Sequence, residues 1–406
     1  VGDYAQLIRP LDFLVVADHA ENLGLAPMIS ESNPALLASD WGRRVHDLVK
    51  AGKLNEAYVQ WGTAMAERKD PIADDDLTRT IWNRIVDSAE RFNEPGVFTS
   101  LHGFEWTSTP DGNNLHRVVM FRDNADKVET RIPFSNYDSS DPEDLWDWMQ
   151  GYEEETGGRV LALPHGGNLS NGMMFDDSRL NGEPIDTAYA ARRARWEPIY
   201  ESTQIKGDGE THPLLSPNDE IADYYRWDRG NFGFELKTPD MLPKEYAREA
   251  LARGLAIEAE IGANPFKFGQ IGSTDSHTSL ATTREDNYFG KATPESPAPG
   301  RNATRSTLSS PPLLAKRLRS NTTRRSPRAL PPPGRGKTPA RRSGMRSSAG
   351  RSMPPPVHVC GCACSPAGTS QKMRCIAPIL LPRAMPAAYP WALTSSPGPG
   401  ARHRRS

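Results

Sequence analysis

Residues 160–168 read VLALPHGGN, a short apolar run that stops at His165 and two glycines. A run of this length is too short for a buried helix and fits a strand of a parallel sheet. The same design recurs along the chain. LDFLVVADHAE (11–21) ends a run with Asp18 and His19, and HGFEWTS (102–108) ends one with Glu105. LHRVVMF (115–121) begins one at His116, and IGSTDSHT (271–278) ends one with Asp275 and His277. Strands are therefore expected at Leu11–Val16, Val97–Phe104, Arg117–Phe121, Val160–Leu163, Ile199–Ile205 and Phe268–Gly272. Helices are expected at Asn33–Gln60, Asp74–Phe92 and Asp144–Glu155, and from Pro243 to Glu260, where Gly262 can cap the end. Strands alternating with helices predict an α/β barrel of parallel strands with outer helices. In such barrels the chemistry sits at the carboxyl ends of the strands.

Composition divides the chain near residue 291. From Lys291 onward there are 21 Lys and Arg against a single acid, Glu295, which leaves 28 basic and 50 acidic residues in the body. All four cysteines (Cys360, Cys362, Cys364, Cys375) also lie in the tail, so the body offers neither a disulfide framework nor a thiolate zinc site. The tail is rich in Pro, Ser, Arg and Ala and lacks any apolar period, so as printed it is expected to be disordered. A basic tail raises a nucleic-acid reading. A frame-shifted translation is the preferred account, because ARRSGMRSSAGRSMPPP (340–356) becomes EAIWDAFERREVYATTG in a shifted frame. That string has the pattern of an amphipathic helix followed by a strand. The expected division is thus a 1–290 body and a 291–406 tail, with no nucleic-acid partner. No run of about 20 apolar residues exists, so no membrane span is expected. The chain opens on Val1 and is expected to start inside its gene, which leaves compartment open, a periplasmic or secreted location of intact relatives included.

The strand ends carry the chemistry. Asp275 and His277 are two apart, so on extended backbone they share a face and can meet one metal cluster. A lone histidine after a strand is usually a turn or capping residue. Five of the seven body histidines lie in or beside polar or Gly-rich strand termini, and that repetition favours a metal site. His46 falls within a helical stretch, and His102 shares its face with Phe104 rather than Glu105, so neither belongs to it. Imidazole and carboxylate donors suit Mn, Zn, Fe or Ni.

The stretches DFLVVADHAE, FEWTSTPDGNNLHRVVMF, RVLALPHGGNLSNG, YESTQIKGDGETHPLLSPNDE and FGQIGSTDSHTSLATTREDNYFGK resemble the family called domain of unknown function 3604. That family is related to the polymerase-and-histidinol-phosphatase superfamily of metal hydrolases. The resemblance implies a distorted TIM-like (β/α)7 barrel, incomplete at its N-terminus, holding two or three divalent ions (Mn, Zn or Fe). It makes His19, Glu105, His116, His165, Asp275 and His277 the metal ligands. Glu105 would bridge two metals, and His116 with His165 would hold the second. Asp275 and His277 would serve the first and third, and Asp18 would support His19. The superfamily's opening H-x-H motif has no counterpart here. The first metal would keep only Glu105 and Asp275, too few for a closed site.

Carboxylate-bridged cations acidify a bridging water and clamp attacking and leaving oxygens, so the expected chemistry is hydrolysis of phosphate or sulfate esters by a bridging hydroxide. Glu105, His165 and Lys206 would be the catalytic groups. For an anionic small-molecule ester, the loop IKGDGETH (205–212) offers Lys206, Glu210 and His212, and Arg117, Asn114 and Asn168 are further substrate candidates. Arginine at a strand start is more often ion-paired, and a polar loop is often only a surface turn. An amidohydrolase-like C–N or C–O hydrolase and an inactive fragment or pseudoenzyme are the competing readings.

Overall fold

The structure, a computed structural model, describes Leu7, residues 10–277, and the strand residues 358–359 and 376–377. The expectations about the tail, including its disorder, otherwise fall outside the described residues. In chain order the described elements are β1 (Pro10–Leu11), β2 (Phe13–Val15), β3 (Asp18–His19), α1 (Leu25–Glu31), α2 (Pro34–Ala38), α3 (Asp40–Lys50), α4 (Leu54–Glu67), α5 (Asp75–Phe92), β4 (Thr99–Leu101) and β5 (Gly103–Trp106). There follow β6 (Arg117–Phe121), α6 (Ala125–Val128), α7 (Pro142–Thr156), β7 (Val160–Pro164), α8 (Thr187–Trp196), β8 (Ile199–Gln204), β9 (Gly207–Asp208), α9 (Ala247–Ile261) and β10 (Gly269–Ser273). The short strands β11 (His358–Val359) and β12 (Ile376–Ala377) pair in parallel with β10 and β1.

The strands form a mixed α/β arrangement of separate ladders. Among the described residues these do not close into a ring. β2 pairs with β4 and β3 with β5, both in parallel, so the N-terminal segment runs along one continuous stretch with a break at residues 16–17. Gly103 allows this close approach, since a Cβ there would lie 2.6 Å from Val15 and 2.7 Å from the Val119 carbonyl. β7 meets β8 through one parallel bridge, His165 to Glu201, and β8 pairs in parallel with β10.

β6 corrects the expectation of uniformly parallel strands. It runs antiparallel to both β5 and β7. The link 107–116 holds only a 3-10 turn at Pro110–Gly112, whereas a parallel return needs a crossover of about a dozen residues or more, usually a helix. Reversal has a consequence for the site: the first residues of β6 lie at the same sheet end as the last residues of β5 and β7.

The helices follow their capping chemistry. Asp74 accepts from the Leu77 N–H and starts α5 where the sequence predicts it, with Asp75 and Asp76 in the first turn. Asp141 caps α7 with Pro142 behind it, and Gly157 ends that helix in the left-handed region. The single helix expected over Asn33–Gln60 is instead α2, α3 and part of α4, because Ser39 starts a new helix by accepting from Gly42 and Gly52 turns the chain at φ 73°. The helix expected from Pro243 begins at Ala247 after a 3-10 turn. α8 adds a helix beyond those expected, started by Asp186 accepting from the Tyr189 N–H.

Side-chain alternation splits the sheet into two apolar faces. Phe104, Val119, Phe121 and Ala162 face the helices, where Trp82 of α5 and Trp148 and Tyr152 of α7 pack around them. Val15, Ala17, Val118, Leu161 and Leu163 form a separate inner cluster, joined by Leu101, Ile199 and Ile271. The candidate site continues that inner face.

Candidate metal centre

Period-two alternation carries the inner face past its apolar residues to the sheet end. His19 lies two residues beyond Ala17, His165 two beyond Leu163 and Glu201 two beyond Ile199. On the reversed strand His116 lies two before Val118, and Glu105 is the direct cross-strand neighbour of Val118. One geometric rule thus brings residues from five strands or strand ends to one place.

Glu105 is the hub. Its Oε1 accepts from His116 Nδ1 at 2.9 Å and from His165 Nε2 at 3.0 Å, and its Oε2 lies 3.4 Å from His19 Nδ1. Glu105, His116 and His165 are all buried, and their donor atoms lie within 4.8 Å of one another. Burial pushes the Glu105 carboxyl up, but the charges of His19 and His165 and hydrogen bonds from His116 and His165 outweigh it and hold it well below the usual carboxylate range. Burial lowers His116 to about 4.

His277 Nε2 is 3.4 Å from His19 Nε2, and its Nδ1 is 3.9 Å from Asp275. Lys206 forms an ion pair with Asp275. Burial alone would lower the Lys206 ammonium, but Asp275, Glu105 and Glu201 raise it, so it stays charged. Asp275 adopts the left-handed region at φ 47°, uncommon for a non-glycine residue and a recurrent feature of functional sites. All six residues expected to be metal ligands therefore converge, and Lys206 joins them.

The donor set fits a divalent cation: one carboxylate oxygen facing two imidazoles, with two further imidazoles and a carboxylate beside it. Among the described residues the buried His165 Nδ1 has no hydrogen-bond partner, and Thr109 Oγ1 sits 3.0 Å from His116 Nε2, where a hydroxyl would support a coordinated ring. Thr107 Oγ1 holds His19 Nδ1 at 2.6 Å.

Other candidates are employed elsewhere. Arg117 is 1% exposed and donates from Nε to Glu197 at 2.9 Å, so it is a structural ion pair and not an anion receptor. Asn168 donates from Nδ2 to the carbonyls of Lys206 and Trp227, bracing the loop after β8. Glu210 pairs with Arg248 at the surface, and His212 Nε2 meets Asp228 at 3.0 Å. Among the described residues neither hydrogen-bonds to a member of the cluster. Asn114 accepts from the His116 backbone N–H at 2.9 Å and so positions that residue. Asp18 is buried in β3 beside His19. His102 packs on the opposite face against Glu90, and His46 lies against Ser32 and Asp47, as their exclusion anticipates.

Sequence reasoning overlooked Glu201. It is buried at the end of the inner face, and burial raises it to about 7 despite the opposing charge of His165. The signal was present: a carboxylate two residues after Ile199 repeats the Leu163–His165 spacing. Glu21 was also missed. It is buried and accepts from the Thr107 and Asn136 backbone N–H groups, which anchors the loop that carries Thr107.

Fold and site together define a mixed α/β protein with a buried carboxylate–histidine cluster at one end of its sheet. The chain belongs to the family described as protein of unknown function (DUF3604), whose model matches residues 1–326. No curated protein and no solved structure matches it. Among the described residues, no helix is long and apolar enough to cross a membrane.

Proposed function

We propose that this protein is a metal-dependent hydrolase of the polymerase-and-histidinol-phosphatase type, acting on phosphate or sulfate esters. The observation that carries the reading is Glu105, buried and shared between His116 and His165 with His19 beside it. The barrel reading has its own support. The inner apolar cluster draws Val15, Val118, Leu161, Ile199 and Ile271 from five different strands, as the filled interior of a barrel does.

Glu105, His116 and His165 would hold one divalent ion, and His19, Asp275 and His277 would hold its neighbours. When bound, such ions supply charge neutralisation and an acidified water. The chain's own contributions are orientation and charge. Thr107 and Thr109 fix the rings of His19 and His116, and Asn114 fixes the start of β6. Lys206, paired with Asp275, brings a positive charge beside the cluster, where an ester anion would need it.

The test is metal content of the purified chain after incubation with Mn, Zn or Fe and dialysis, followed by turnover of 4-nitrophenyl phosphate and 4-nitrophenyl sulfate. Retention of divalent metal that E105Q and H165A lose is the expected result. Failure of the wild-type chain to retain any of these metals would refute the proposal.

A further inference from the structure

Two aromatic rings stand on two of the cluster's histidines, and neither belongs to either apolar cluster of the core. Phe232 stacks on His116 with ring centroids 5.7 Å apart and an interplanar angle of 27°, yet is 38% exposed. Trp61 lies 5.7 Å from His19 and is itself flanked by the exposed Tyr58 at 5.8 Å. The two histidine rings are 6.3 Å apart, so both aromatic walls border the same cluster.

The walls are built, not incidental. Phe232 donates its backbone N–H to the Gly112 carbonyl at 2.9 Å, while Asn231 Nδ2 donates to the Asp111 carbonyl at 3.1 Å and to Asn113 at 2.7 Å. This clamps the 230–236 loop to the turn at Pro110–Gly112, and α4, which carries Tyr58 and Trp61, packs against that same turn. The clamp excludes side-chain bulk: a Cβ on Gly112 would lie 2.4 Å from the Gly233 nitrogen. One turn therefore sets both walls and also carries Thr109, the partner of His116.

From this we infer that the cluster's mouth is an aromatic subsite, built by Phe232 and Trp61, for a planar aromatic group on the ester that the metal centre takes. The inference rests on the hydrolase reading for the anionic end of the ligand. Partly exposed rings already held in place lose little freedom when a planar group stacks on them, and ring pairs prefer offset or edge contacts of this spacing. An alkyl ester would gain contact area but not the ring-to-ring contribution.

The experiment is calorimetric binding of phenylphosphonate and methylphosphonate to the full-length, metal-loaded chain, with metal content measured for every protein used. Phenylphosphonate should bind about tenfold more tightly than methylphosphonate, given roughly one favourable ring contact at each wall. F232A and W61A should each lose about two- to tenfold of that preference while retaining wild-type metal content. W61F, which keeps a ring, should retain most of it, and F234A, an exposed ring of the same loop that stacks on no histidine among the described residues, should leave it intact. Equal affinity for the two phosphonates, or a preference that survives both alanine substitutions, would overturn the subsite. A wild-type chain that holds no metal and binds neither phosphonate would instead overturn the hydrolase reading and the subsite with it.

Discussion

Replacing Glu197 by alanine should destabilise the protein more than any substitution at the metal cluster. Glu197 is buried at the end of α8, where Arg117 Nε approaches at 2.9 Å, Arg193 Nε at 3.2 Å and Trp146 Nε1 at 3.1 Å. The two arginine side chains are 1% and 5% exposed, so E197A leaves two cations without water or a counter-charge. Breaking a buried ion pair from one side costs about 3–5 kcal/mol. The stranded indole N–H adds roughly 1 kcal/mol. A total of about 4–6 kcal/mol is a large share of the ~5–15 kcal/mol that holds a domain folded. At about 2–4 °C per kcal/mol for a domain of this size, the melting temperature should fall by roughly 10–20 °C. R117M should cost less, because Glu197 keeps Arg193 and Trp146, and it should leave bound metal unchanged. Burial pushes the Glu197 carboxyl up, but Arg117 and Arg193 outweigh that and lower it, so its contribution is present above the unfolded value and is lost as pH falls through the folded one. The assay is thermal and urea unfolding at neutral pH and in mild acid. A melt of E197A within about 2 °C of wild type would refute the reasoning about unpaired buried charge. Loss of metal from R117M without loss of stability would return Arg117 to the site.

Three further outcomes are expected. A divalent ion at about one hundred times its dissociation constant should stabilise the wild-type chain by about 2.7 kcal/mol and leave E105Q unmoved, read as a shift in melting temperature; equal shifts in both would remove Glu105 from the site. Asp208 is raised to about 6, burial being the main cause, so the folded chain binds the proton more tightly than the unfolded one and stability should decline as pH rises from about 4 to about 6. D208N should flatten that decline, and an unchanged slope in unfolding free energy against pH would show that another group is responsible. G112A places a methyl against the Gly233 backbone at φ 84°, and should lose about 1–3 kcal/mol in denaturant unfolding together with the phenyl preference at the mouth; an unperturbed melt would show that the turn yields easily.

Much of the architecture was legible in the sequence because it depends on local chemistry. Apolar runs of strand length ending in His or carboxylate at Asp18–His19, Glu105, His165 and Asp275–His277 placed the candidate ligands, and capping residues such as Asp74 and Gly262 placed helix ends. What sets these apart is period-two alternation, which the chain expresses within a few residues. The same rule reaches Glu201, two residues after Ile199, but its strand also carries Ser202, Thr203 and Gln204 and so lacks the apolar run that marks the others.

Direction and partnership belong to the tertiary structure. Whether β6 runs with or against its neighbours depends on the length and content of a link, and its reversal is what sets His116 beside His165. The partners of the charged groups are separated by long stretches of chain: Arg117 finds Glu197, Glu210 finds Arg248, His212 finds Asp228 and Lys206 finds Asp275. An ionised side chain is indifferent to which opposite charge neutralises it, so residue type alone predicts that a partner exists and not which one. Packing decides that, by burying one pair and leaving another in water. The aromatic mouth is of the same kind: Trp61 and Phe232 look like ordinary helix and loop residues until the turn at Pro110–Gly112 sets each beside a different histidine.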